Sequence, residues 1–180
     1  MNAIVIEQDQ DETRLAFEVH RNAAIHRIRL ARAKIASHAT DEGPGTPIAV
    51  TFQFKSKPMS APSNVLRLDI AFRMAGAGEQ GKAIGGSQAK QPAEKRREPV
   101  VLVECGYEVD YVLREGFKIT PEHVKAFKDG NAIFNVWPYF REYLQSNLQR
   151  MDLPPLTAPF LRLEPKPTTR KRRPNQVAGS

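Results

Sequence analysis

Cysteine is almost missing from this chain: Cys105 is the only one in 180 residues. A lone cysteine excludes an intramolecular disulfide and any multi-cysteine metal site, and it suits a reducing compartment. Long apolar runs are missing as well. The opening MNAIVIEQDQDE turns acidic after a few apolar residues and lacks a basic start, so it does not read as a secretory signal. No stretch approaches the ~18 apolar residues of a membrane span. A cytoplasmic protein is expected. His20, His26, His38 and His123 fall in no metal-ligand spacing. No nucleophile elbow, Walker loop or paired-carboxylate constellation appears. Gly76-Ala77-Gly78-Glu79-Gln80-Gly81 matches G-x-G-x-x-G by letter, yet it runs into Lys82–Pro99, which offers no helix for a phosphate to sit on. Glu104, Glu108 and Asp110 share a strand face and read as a solvated acidic surface. Neither an enzyme nor a cofactor or metal is expected.

What the chain does have is basicity, with a formal net charge of +7. Its location matters more than its size. Lys82, Lys90, Lys95, Arg96 and Arg97 against three acids give Gly76–Glu98 a charge of +2, and Lys166, Arg170, Lys171, Arg172 and Arg173 against Glu164 give the end of the chain +4. Both segments lack an apolar period. The remainder is close to neutral and is expected to be the folded body. The Arg170–Arg173 run could touch nucleic acid, an anionic membrane surface or an acidic partner through salt-sensitive contacts, or be a solvated terminus. Neither basic segment has the interleaved aromatics that single-strand binding uses.

Apolar periodicity supplies the elements. Leu66, Leu68, Ile70, Phe72 and Met74 alternate with polar or small residues, as do Ile48, Val50, Phe52 and Phe54. A longer run, Val101 to Leu113, does the same, with Gly106 inside it as a candidate bulge or bend. Ile25–Ser37 fits a helical stripe (Ile28, Ala31, Ile35) and a brief alternation equally well. Leu15–Ile25 is a candidate short helix. Asp41–Pro47 reads as a turn, Lys57–Pro62 as a connection, and Gly76–Pro99 as a flexible excursion between adjacent antiparallel strands. Thr120-Pro121-Glu122 is a helix start that should run to Asp129-Gly130. Pro138 then either opens a second helix or kinks one begun at Ala132. Phe140, Leu144, Leu148 and Met151 form the apolar stripe of that helix, which Pro154-Pro155 should end.

The exit Leu153-Pro-Pro-Leu156-Thr-Ala-Pro-Phe160-Leu161 is apolar, extended and too proline-rich for a central strand. Such a segment must cover a groove or line one, and apolar surface of that extent marks a protein-binding site.

The pattern Trp137-Pro138-Tyr139-Phe140-Arg141-Glu142, left through Leu153-Pro154-Pro155-Leu156-Thr157-Ala158-Pro159, resembles the SecB-type export chaperones. That resemblance implies an α+β fold, a four-stranded antiparallel sheet with C-terminal helices packed on one face, assembled as a dimer or tetramer. It makes Ile25–Ser37 the first strand. It divides the chain into a lead-in over 1–24, a SecB-like domain over 25–163 with a flexible insertion at 76–99, and a disordered basic tail over 164–180. It implies ATP-independent binding of non-native polypeptides in apolar grooves, for export or for protection of an antitoxin. The implied groove residues are Trp137, Tyr139, Leu153, Leu156, Phe160 and Leu161, with Phe140, Leu144 and Leu148 packed inside. Export relatives dock on a SecA-type motor through an acidic sheet surface. Here the first strand carries Arg27, Arg29, Arg32 and Lys34, and the tail is polybasic, which departs from that pattern. The rival reading is a nucleic-acid-associated or scaffolding protein acting through its basic tail.

Overall fold

The computed structural model describes residues 3–37, 48–78, 99–153 and 156–166. The Asp41–Pro47 turn, the excursion between residues 79 and 98, Pro154-Pro155 and the Arg170–Arg173 run lie outside the described residues. No helix among the described residues is long and apolar enough to cross a membrane.

Four strands make one antiparallel sheet: β2 (Ala23–Ser37), β3 (Ile48–Met59), β4 (Val65–Gly78) and β5 (Val101–Leu113), in the order β2-β5-β4-β3. The strict alternation of β4 and β5 sorts one set of side chains onto a single face. Leu68, Ile70, Met74, Val103 and Val109 are fully buried there. β3 extends to Met59, so the connection to β4 is shorter than its sequence implies, and β4 continues past Gly76 to Gly78.

β2 explains its own ambiguous sequence. Its register against β5 slips twice, between Ile25 and Arg27 and between Leu30 and Arg32. Each slip inserts one extra residue, His26 and then Ala31, and resets the alternation. Ile28 and Leu30 therefore share the apolar face with Ala33 and Ile35, a spacing that imitates a helix. The irregularity opposite Gly106 belongs to β2, not to the strand that contains the glycine.

The N-terminal lead-in is more structured than its sequence suggests. β1 (Ala3–Gln8) precedes helix α1 (Gln10–Asn22). Asp9 caps that helix, accepting from the Glu12 amide while the Glu12 carboxylate accepts from the Asp9 amide, a reciprocal box that satisfies two otherwise orphaned donors. β1 pairs in parallel with β6 (Phe160–Pro165), from Ala3 opposite Phe160 to Gln8 opposite Pro165. β6 is the stretch read as an irregular exit, and it ends beyond Glu164, the expected start of the tail. In this pair Ile4, Ile6, Leu161 and Leu163 turn inward, while Val5 and Phe160 turn out.

Helix α2 (Pro121–Lys128) begins as expected at Thr120. The Thr120 amide donates to Nδ1 of His123, so the ring hydrogen sits on Nε2, 3.0 Å from the Glu18 carboxylate of α1. That bond holds the Glu18 carboxyl below its usual range. Gln8 reaches from β1 to the Ala126 carbonyl at 2.8 Å and satisfies one end of α2.

Helix α3 (Asn131–Arg150) runs through Pro138 rather than starting at it. Pro138 lies on the wet side, where loss of one backbone donor is tolerated. The helix ends before the prolines: the Asp152 amide reaches the Gln149 carbonyl, the Leu153 amide reaches that of Leu148, and Asp152 adopts φ 55°. This is a Schellman stop with aspartate in the left-handed position. Phe140, Leu144 and Leu148 press onto the sheet, each contributing about 1.5–3 kcal/mol of apolar burial. The Phe140 ring stacks on Phe72 with centroids 4.8 Å apart.

Candidate functional site: an apolar seam beside the exit strand

The seam is built from three elements. Trp137, one turn before Phe140, lies under the chain that leaves α3. Its indole Nε1–H donates to the Pro159 carbonyl at 3.0 Å, and its ring packs against Phe52, Phe72 and Phe140. Trp137 and Leu161 are buried, Leu153 and Leu156 are half-buried, and Phe160 is 48% exposed. Of the six residues expected to line a groove, two thus form a floor, two an intermediate layer, and Phe160 stands at the surface with Arg141 over its ring at 5.1 Å.

Tyr139 is not brought to this seam. At 100° per residue it lies about 160° around α3 from Arg141, and it is half exposed on another surface of the helix. Its backbone carbonyl accepts from the Tyr107 hydroxyl at 3.1 Å.

Residues outside the expected set complete the seam. Edge strand β3 borders Trp137: Phe52 meets its ring edge-on at 6.1 Å, Val50 is half-buried and Ile48, farther along the strand, is exposed. Val5 on β1 and Phe134 on the Arg141 flank of α3 are also exposed apolar side chains. The alternation in the sequence already put Ile48, Val50 and Phe52 on the apolar face. Only the strand order reveals that this face ends at an edge beside Trp137.

Among the described residues no three His, Cys, Asp or Glu side chains cluster in a way that could hold a metal ion. Cys105 is buried on the apolar sheet face, and that burial pushes its thiol up to about 12. Tyr111, buried against Phe127, is likewise pushed up to about 12.

The other sheet face overturns the reading of Glu104, Glu108 and Asp110 as a solvated acidic surface. Asp110 accepts from Arg67 at 2.6 Å and from Arg27 at 2.8 Å. Glu108 pairs with Arg29, and Glu104 pairs with Arg73 at 3.0 Å. Asp69 receives both Arg32 nitrogens, at 2.7 and 3.0 Å, and Lys57 at 3.3 Å. Arg67, then Arg27, hold the Asp110 carboxyl below its usual range despite burial. Burial would raise Asp69, but Arg32 and then Lys57 outweigh it and carry the carboxyl down. Gly106 makes the Arg32 contact possible. A Cβ there would collide with the guanidinium, which lies across the glycine on its way to Asp69.

No family profile matches the sequence, and no curated protein matches it in sequence. Among solved structures, the chain is similar to the SecB-like chaperone of Mycobacterium tuberculosis in complex with a ChAD peptide from the HigA1 antitoxin. The two are 21% identical with a TM-score of 0.67, over 84% of this chain and 99% of the other. A Streptococcus agalactiae protein of unknown function superposes at a TM-score of 0.33 and 10% identity, over 77% of this chain and 97% of that one, too loosely to carry an argument. The four-stranded antiparallel sheet, the long helix packed on one face and the extended exit of this chain together make up the SecB-like chaperone fold.

Proposed function

We propose that this protein is an ATP-independent holdase that keeps non-native polypeptides soluble by binding their apolar segments along the seam beside the exit strand. The observation that carries the reading is the placement of Trp137. Buried and hydrogen-bonded to Pro159, it holds an extended apolar segment against α3 while Phe160 stays open beside it. Leu153 and Leu156 line the interval, with Trp137 and Leu161 as floor; Tyr139 belongs to a separate surface of the helix. Hydrophobic contact is non-directional, so a row of such side chains binds many sequences and ignores folded proteins, which hide theirs.

The SecB-like neighbour was solved with a peptide from an antitoxin, which supports polypeptide clients and favours antitoxin protection over export for this chain. The basic outer sheet face argues in the same direction, since the export relatives dock their motor on an acidic one. The exposed Tyr139 on α3 and Leu30 on β2 favour a homo-oligomer, dimer or tetramer, and the single cysteine suits the cytoplasm. A nucleic-acid role through the basic tail rests on charge alone.

The test is dilution of a chemically denatured enzyme into buffer without nucleotide, followed by light scattering. The protein should suppress aggregation near stoichiometry, and Leu156→Ser with Phe160→Ser should abolish that in a variant whose circular dichroism still reports the folded chain. Equal aggregation with and without the protein, or full suppression by the double variant, would overturn the reading. Removal of residues 167–180 should leave suppression intact.

A further inference from the structure

The outer face of the sheet orders its charges in cross-strand rows. Lys34, Glu104, Arg73 and Gln53 form one row; Arg32, Gly106, Ala71 and Lys55 form the next. Then come Arg29, Glu108, Asp69 and Lys57, followed by Arg27, Asp110, Arg67 and Met59. The face thus carries eight cations and four carboxylates, a net +4. All four carboxylates are engaged by arginine or by Lys57. Among the described residues Lys34 and Lys55 have no carboxylate partner. They flank a hollow of ≈650 Å³ floored by Ala71, with Arg32, Arg73, Gln53 and Glu104 around it. The small side chain of Ala71 in the second row leaves that depression, while Gly106 beside it is covered by the Arg32 guanidinium.

We propose that this hollow is a second binding site, separate from the apolar seam, that takes an acidic segment of a polypeptide. The excess positive charge is fixed by the sheet and is complementary to an anionic occupant. The chain's own polybasic end has the wrong sign. A second copy of the same face would set cations against cations. Nucleic acid is disfavoured because the face offers no aromatic ring for base stacking, and its carboxylates interrupt any phosphate track. An extended acidic peptide fits the spacing. Lys34 and Lys55 stand three strand separations and one row apart, on the order of 16 Å, a span that about five residues of an extended chain cover at ~3.4 Å per residue. Arg73 on β4 lies between them and Arg32 stands beside Lys34 on β2; both are held by sheet carboxylates and add positive charge to the rim.

The experiment is fluorescence anisotropy of the full chain with a labelled extended peptide bearing glutamate at every second position. Binding is expected at low ionic strength and should weaken as salt rises. Lys34→Glu with Lys55→Glu should reduce affinity at least about tenfold, with the glutamine pair intermediate. The melting temperature and the suppression of client aggregation should be unchanged, so failure here and failure of the holdase reading are told apart. The proposal is overturned if the charge-reversed variant binds the peptide as well as the parent. It is also overturned if binding vanishes only on removal of residues 167–180, or if a single-stranded RNA of equal charge binds more tightly and loses affinity in the same variant.

Discussion

Trp137 donates its indole hydrogen to the carbonyl of Pro159 at 3.0 Å, across 22 residues of chain. That bond ties the end of the exit segment to the helix it has left. Phenylalanine at position 137 would keep most of the ring packing on Phe72 and Phe140 and remove the donor. Trp137→Phe should cost about 1–2 kcal/mol in urea unfolding, the penalty for a carbonyl left without a partner. It should also speed exchange at the Leu161 amide. A change below ~0.3 kcal/mol would show that the hydrogen bond does not hold the segment.

Phe160 and Leu161 are neighbours with opposite assignments. Leu161 turns into the core and Phe160 into solvent. Leu161→Ala should destabilise by about 2–3 kcal/mol. Phe160→Ala should stay within about 0.5 kcal/mol of the parent yet weaken client binding. Reversed outcomes would place β6 one residue out of register.

Gly106 and Arg32 form a pair that a double-mutant cycle can isolate. Gly106→Ala obliges the guanidinium to lift from its path to Asp69, and the expected cost is about 1 kcal/mol, after allowance for the solvent around the arginine head. In an Arg32→Ala background the same change should be neutral or slightly stabilising, because alanine suits a strand better than glycine. Additive effects would dissociate the glycine from the ion pair.

The acid response follows from Asp69 and Asp110, whose carboxyls are held low in the folded state. A depressed folded value adds stability that is complete above the unfolded value near ~3.9 and is lost as pH falls through and below it. Unfolding free energy should therefore be flat from about pH 7 to 5 and decline below ~4. Asp69→Asn with Asp110→Asn should lower stability at neutral pH and flatten that decline. An unchanged acid limb would assign it to other carboxylates.

Much of the fold could be read from residues alone, and the reasons are specific. β4 and β5 keep an unbroken period of two, so each side chain declares its face. Thr120-Pro121 and the Phe140–Leu148 stripe declare their helices in the same way. β2 stayed ambiguous because two bulges shifted its phase, and the resemblance carried by Asn131–Pro159 resolved it. β1 and the start of α1 were missed although Asp9 and Glu12 spell a capping box, since a strand of six residues has no period long enough to read. The charged sheet face reads from residues alone as a solvated acidic surface, because a sequence gives the sign of a side chain without its cross-strand partner. Phe52 as a wall of the seam needed the strand order, which no local pattern encodes.

The parallel pairing of β1 with β6 has a consequence for biosynthesis. Ala3 emerges from the ribosome about 150 residues ahead of the Phe160 it must pair with, a wait on the order of 10–30 s at ordinary elongation rates. During that interval Ile4 and Ile6 have no strand to lie against, and the nascent chain displays the kind of sticky extended segment that its finished form would shelter in others.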